Sequence, residues 1–274
     1  FKRSINRGSL DALYEYTEML RKGYIKPQKS DDNYYNNYKV LLEKGHLKAM
    51  VRYGIYLINS QEEEKKEEGR RLIKSAADKG NLRAMYYCGQ NSIEYLKKAA
   101  FEGHVKSMLE YGIKALKLYP DLPKDENINH IISYIKKSSD KGNPKATYEY
   151  GKLFIAGKEK GMPIDFEKGS KYIEISALNG VTDSYELYAT LLEKKRDSVA
   201  DAQNYYQLAI ENGNDGALYR YALLLKDKNE KDYLKYIQMA IDKGNSEAMN
   251  DLADYYSIKA RSRDNNKKAA ELYK

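Results

Sequence analysis

The sequence predicts an all-α protein, a solenoid of about seven to eight helix-pair repeats. Three observations carry that prediction: a glycine that returns along the whole chain, small residues at fixed offsets on both sides of it, and a recurring tyrosine beyond them. The glycines are Gly8, Gly45, Gly80, Gly103, Gly142, Gly180, Gly213 and Gly244. Four residues after each stands Ala12, Ala49, Ala84, Ser107, Ala146, Ser184, Ala217 or Ala248. Eight after it stands Tyr16, Tyr53, Cys88, Tyr111, Tyr150, Tyr188, Tyr221 or Leu252, and the ninth position is again small: Thr17, Gly54, Gly89, Gly112, Gly151, Ala189, Ala222 or Ala253. Offsets of four and eight keep side chains on one helical face, so the small residues let a second helix approach while the ring fills the space beside it.

That second helix precedes each glycine. Small residues stand four before it at Ala76, Ala99, Ser138, Ser176, Ala209 and Ala240, and tyrosines eight before it at Tyr95, Tyr134, Tyr172, Tyr205 and Tyr236. The glycine itself suits the left-handed turn that ends a helix. The unit is therefore helix, loop, helix, glycine turn, and a fixed-period run of such units stacks into a solenoid.

In chain order, residues 1–23 hold an incomplete first unit, and the polar, Pro-broken stretch around Lys26, Pro27 and Asp31 to Asn33 reads as a loop. The second unit carries the charge run Glu62 to Gly69, a solvated loop leading into a helix whose acidic start favours the dipole. The spacing from Gly80 to Gly103 is too short: only six steps separate Gly89 from Tyr95, so we expect a disordered loop near Gln90 to Ser92 that the sequence as given leaves out. Longer loops are expected at Tyr119 to Asn129 and Ala156 to Phe166, and the stretch after Arg261 reads as the start of one more second helix. A single array over 1–274, incomplete at both ends, is the expected domain organisation.

The segments YLKKAAFEG (Tyr95 to Gly103) and YIKKSSDKG (Tyr134 to Gly142), with the G-x-x-x-A-x-x-x-x-G pattern of the first helices, resemble Sel1-like repeats, relatives of the tetratricopeptide class. The resemblance covers nearly the whole chain, although the chain has no Trp and four registers lack the second glycine. It implies a right-handed α/α superhelix and a scaffold or adaptor role: a non-enzymatic protein presenting a curved helical surface to a protein or peptide partner. It also implies that first helices line the concave face.

Composition narrows the chemistry. The chain of 274 residues has 28 tyrosines and a single cysteine, Cys88, which stands at a tyrosine position and reads as core. A lone cysteine forms no intrachain disulfide, which points to a reducing, cytoplasmic setting. No apolar run is long enough for a membrane span. His46 and His104 follow turn glycines, where other units place Ser9, Asn81, Asn143, Val181, Asn214 and Asn245, so they read as helix caps rather than metal ligands. Gly151 to Gly161 imitates a phosphate loop, but Glu159 stands where the magnesium ligand belongs. The sequence thus gives no catalytic residue, no metal site and no cofactor.

The charge is polarised: +10 through Lys160 and −2 beyond it, together the net +8. On concave first helices, the residues six and three before the second small position are Lys48 and Val51, Arg83 and Tyr86, Lys106 and Leu109, and Lys145 and Tyr148, followed by the more acidic Asp183 and Glu186, Gly216 and Tyr219, and Glu247 and Asn250. Lys48, Arg83, Tyr86, Lys106, Lys145 and Tyr148 are accordingly the expected partner-binding residues, a ladder suited to an acidic extended segment. The alternative is a nucleic-acid-binding solenoid that uses the same basic half.

Overall fold

A computed structural model of the chain describes residues 2–26, 34–119, 121, 127–157, 163–194, 198–259 and 271. Among the described residues every regular element is helical. They are α1 (Lys2–Ile5), α2 (Leu10–Arg21), α3 (Tyr34–Glu43), α4 (Leu47–Ile58), α5 (Glu63–Asp78), α6 (Leu82–Cys88), α7 (Ile93–Phe101), α8 (Val105–Leu118), α9 (Ile128–Asp140), α10 (Pro144–Ala156), α11 (Phe166–Leu178), α12 (Thr182–Glu193), α13 (Val199–Glu211), α14 (Gly216–Leu225), α15 (Glu230–Asp242) and α16 (Ser246–Ile258). They fall into two compact units, Phe1–Lys141 and Gly142–Lys274. In the first, α2 pairs with α3, α4 with α5, α6 with α7 and α8 with α9; in the second, α10 pairs with α11, α12 with α13 and α14 with α15, before α16.

The turn between pairs is one device used repeatedly. All eight repeat glycines have positive φ, from 68° at Gly45 to 90° at Gly103, a region where a Cβ would be strained. At Gly80 the glycine N–H donates to Ala77 O (2.9 Å) and the next N–H, of Asn81, to Ala76 O (3.0 Å), which closes the end of α5 in a Schellman arrangement. The residue after the glycine then caps the next helix. Asn81, Asn143 and Asn245 accept from the amides of Ala84, Ala146 and Ala248, and Ser9 does the same for Ala12. The small residue four after the glycine therefore supplies the capped N–H as well as the packing surface.

Those small residues are buried where expected: Ala49, Ala84, Ser107, Ala146, Ser184, Ala217 and Ala248 are all 0% exposed, whereas Ala12, in the first unit, is only half-buried. The second small position sets how closely paired helices approach. A Cβ on Gly54 would lie 2.9 Å from Gly69 O, and one on Gly69 would lie 2.6 Å from Gly54 O, so α4 and α5 cross backbone on backbone. Gly151 and Gly169 repeat this between α10 and α11. At four pairs the two tyrosine positions meet edge to face, Tyr111 with Tyr134 at 5.2 Å, Tyr150 with Tyr172 at 5.0 Å, Tyr188 with Tyr205 at 4.7 Å and Tyr221 with Tyr236 at 4.8 Å. Where serine replaces alanine on the second helix it adds a tie: Ser138 Oγ donates to Val105 O and Ser176 Oγ to Pro144 O, each at 2.8 Å.

The third pair departs from this pattern. Helix α6 has 7 residues and α7 has 9, against 12 in α4 and 14 in α8. The connection that looked too short for an antiparallel return closes because both helices are cut back. The amides of Gly89 to Ser92 turn onto Met85, Tyr87 and Cys88 carbonyls, and Lys114 Nζ donates to Gly89 O (3.0 Å) and Gln90 O (2.9 Å). Cys88, read as core, is half-buried.

The charge run differs too: it is helix rather than loop, since α5 begins at Glu63, with Glu62–Lys65, Glu63–Lys66 and Glu67–Arg70 pairs along its first turns. The phosphate-loop imitation is helical at its start, with Gly151 inside α10. The loops expected around Lys26 to Asn33 and Tyr119 to Asn129 lie largely outside the described residues, as does the helix start after Arg261, and the loop expected at Ala156 to Phe166 lies partly outside them.

Candidate functional site

The two cap histidines organise the first-helix face of unit one. His46 Nδ1 accepts from Ala49 N at 3.2 Å, and its Nε2 faces Asp11 Oδ1 at 3.2 Å. Lys48 Nζ lies 3.6 Å from the same carboxylate, so Lys48 is exposed but shares its charge with Asp11. Tyr14 packs against the His46 ring at 5.1 Å.

The same construction recurs two repeats on, at the start of α8. His104 Nδ1 accepts from Ser107 N at 3.3 Å, and Tyr86 packs 5.7 Å from the ring. Burial, then the charges of Lys106 and Arg83, hold the His104 ring below its ordinary pKa. Arg83 and Lys106 therefore bear on one imidazole from two helices, and both side chains are exposed. Of the six expected residues, Arg83, Tyr86 and Lys106 are brought together. Their apolar companions Val51 and Leu109 are buried, 2% and 3% exposed, and offer nothing to a partner.

Lys145 and Tyr148 belong to unit two. Lys145 is exposed near the start of α10. Tyr148 is half-buried under Lys152, whose Nζ stands 4.5 Å from the ring, and burial with the charges of Glu149, Asp183 and Glu186 pushes its hydroxyl up to about 12. Beyond it the face turns acidic. Glu186 accepts from Asn214 Nδ2 at 2.9 Å and lies 3.5 Å from Arg220 Nε, while Tyr219 donates to Asp251 at 2.5 Å.

One cluster was not anticipated. Glu18, 6% exposed, accepts from Arg21 Nε (3.2 Å) and Nη2 (3.0 Å) and from the Tyr38 hydroxyl, with Arg52 Nε 3.3 Å away. Burial alone would raise this carboxyl, but the hydrogen bonds from Arg21 and Tyr38 and the Arg52 charge outweigh it and hold it below its usual range. The i,i+3 spacing of Glu18 and Arg21 was visible in the sequence; the arrival of Arg52 and Tyr38 from other helices was not.

Among the described residues no group of three or more His, Cys, Asp or Glu side chains could hold a metal ion, and no helix is long and apolar enough to cross a membrane. No family model and no curated protein matches the chain. Solved structures do. A protective antigen of uropathogenic Escherichia coli with an SLR fold superposes with a TM-score of 0.80 at 20% identity over 99% of this chain, which spans 62% of that protein's length. A Sel1 repeat protein from Oxalobacter formigenes gives 0.59 at 20% identity, covering 94% of this chain and 78% of that one. A signal-transduction ATPase with a tetratricopeptide repeat sensor from Pyrococcus horikoshii gives 0.51 at 15% identity, with 98% and 48% covered. The helix-pair repeat described above is thus the α/α solenoid fold of Sel1-like and tetratricopeptide repeat proteins.

Proposed function

We propose that the chain is a non-enzymatic scaffold or adaptor that binds a protein or peptide partner on its first helices, and that in unit one the partner offers an acidic extended segment. The observation that carries this is the convergence of Arg83, Lys106 and Tyr86 around His104, two exposed cations flanking a half-buried ring. Cations steer a carboxylate-bearing chain and a ring gives it an apolar seat. Lys48, neutralised in part by Asp11, has a lesser role. Lys145 and Tyr148 lie in unit two, where the charges of Asp183 and Glu186 bear on Tyr148 and favour a basic contact.

The test is capture from the native cell with wild type, with Arg83→Glu/Lys106→Glu, and with Lys136→Glu as a surface control on another helix. Partners lost only from the double variant, with nuclease treatment leaving wild-type capture unchanged, support the proposal. An unchanged partner set removes the cationic face from consideration, and loss on nuclease treatment transfers it to nucleic acid.

A further inference from the structure

The third pair lacks a ring that four other pairs have. At four other pairs the two tyrosine positions of one repeat meet edge to face. In the third they are Cys88 and Tyr95, so one ring is missing, and the shortened α6 and α7 leave the space uncovered. The result is a cavity of about 380 Å³ lined by Ile73, Lys74, Tyr87, Cys88 and Tyr95, with Arg70 also on its wall. Its floor is apolar and aromatic, and its charged side chains are both cations. Arg70 is shared with Glu63 and Glu67, whereas Lys74 makes no ion pair among the described residues. Tyr95 is held by its hydroxyl, which donates to Asp78, so the remaining ring is fixed rather than free to fall into the space.

We propose that this cavity receives one aromatic side chain of a protein partner, carried in an acidic segment: the ring takes the vacated tyrosine position against Tyr95, Tyr87 and Ile73, and a neighbouring carboxylate meets Lys74 and Arg70. The volume exceeds that of a single ring, so the occupant brings part of its backbone with it. Edge-to-face packing against Tyr95 repeats the geometry the fold uses elsewhere, and the paired cations select acidic flanks over basic ones. The cavity lies at the loop ends of the helices, away from Arg83 and Lys106 at a helix start, and does not depend on that face.

Cys88, the single cysteine, reports on occupancy. The probe is the amidated tripeptide acetyl-Asp-Phe-Glu, compared with acetyl-Asp-Ala-Glu and acetyl-Lys-Phe-Lys, each titrated while the rate of Cys88 alkylation by a maleimide is followed. Saturable, several-fold slowing by the first peptide alone is expected. Fluorescence anisotropy of the labelled first peptide should show binding weakened by Lys74→Glu and lost in Cys88→Tyr, which places the repeat's own ring in the cavity. Lys74→Glu is a surface change that keeps the comparison interpretable if Cys88→Tyr misfolds. Equal slowing by all three peptides, slowing by none, or undiminished binding to Lys74→Glu each overturns the proposal. Arg83→Glu/Lys106→Glu leaves this binding unchanged, so the two sites stand or fall separately.

Discussion

Substituting Gly54 by alanine tests whether the paired helices truly meet backbone to backbone. The added Cβ would lie 2.7 Å from Ile73 Cγ1 and 2.9 Å from Gly69 O. Ile73 is 3% exposed and has nowhere to swing, and the carbonyl belongs to the facing helix, so α4 and α5 must separate. Overpacking of this kind costs about 1–3 kcal/mol, and the better helix propensity of alanine returns up to about 1 kcal/mol. With the clash near the middle of its range, about 2 kcal/mol, the net loss is about 1–2 kcal/mol, a fall in Tm of roughly 2–8 °C for a unit of this size. Repeats with alanine in these registers, such as Ala189 on α12 and Ala202 on α13, bury both without a glycine, so a wider spacing is attainable and the variant should fold. Circular dichroism melts of wild type, Gly54→Ala, Gly69→Ala and the double variant provide the assay. The double variant should lose less than the sum, because the first change already parts the helices. A Tm that stays level or rises in Gly54→Ala would refute the close crossing.

Three further outcomes are expected. Glu18 has a folded pKa below its ordinary 4.5, so its contribution is complete above that pH and is lost as pH falls through the folded value; Glu18→Gln should lower Tm at neutral pH, and the gap to wild type should close in acid. Val181 starts α12 without a side-chain cap, and Ser184 N donates to the Val181 carbonyl at 2.9 Å, so Val181→Asn should gain only about 0.5 kcal/mol in chemical denaturation, and no gain would mean that this carbonyl already satisfies the amide. Further residues in the native chain near Gln90 to Ser92, expected from the glycine spacing, would fall on Asn91 and Ser92 of the cavity wall beside Cys88 and remove that site, and tryptic mapping decides between the two. A native peptide running from Ala84 to Lys97 with the mass of these residues alone rules the insertion out.

Much of the fold was legible because its determinants are local. A turn glycine, a cap and a small residue act within a few positions of one another, so all eight glycines could be assigned from spacing and all eight adopt positive φ. The histidines were legible as caps for the same reason. What escaped notice depends on a third helix. Val51 and Leu109 share a register with Tyr86, and that register points along the stack toward the next first helix, as the Tyr86–His104 contact shows. Apolar residues there sink into the stack, while a tyrosine, with its polar tip, stays half out. The Glu18 cluster likewise draws on three helices. At the third pair, spacing fixes how many residues a connection has, not how far its helices can be shortened.

The imidazole at the start of α8 ties two events together. His104 keeps its lone pair for Ser107 N while it remains neutral, and it stays neutral at lower pH than an ordinary histidine because it is buried and because Lys106 and Arg83 repel the incoming proton. Any anion that docks on those cations weakens the repulsion and makes the ring easier to charge, at the expense of the lone pair that anchors the helix. Proton uptake and anion docking are therefore reciprocally linked, and mild acid would strengthen the grip on a carboxylate while loosening the first turn that presents it.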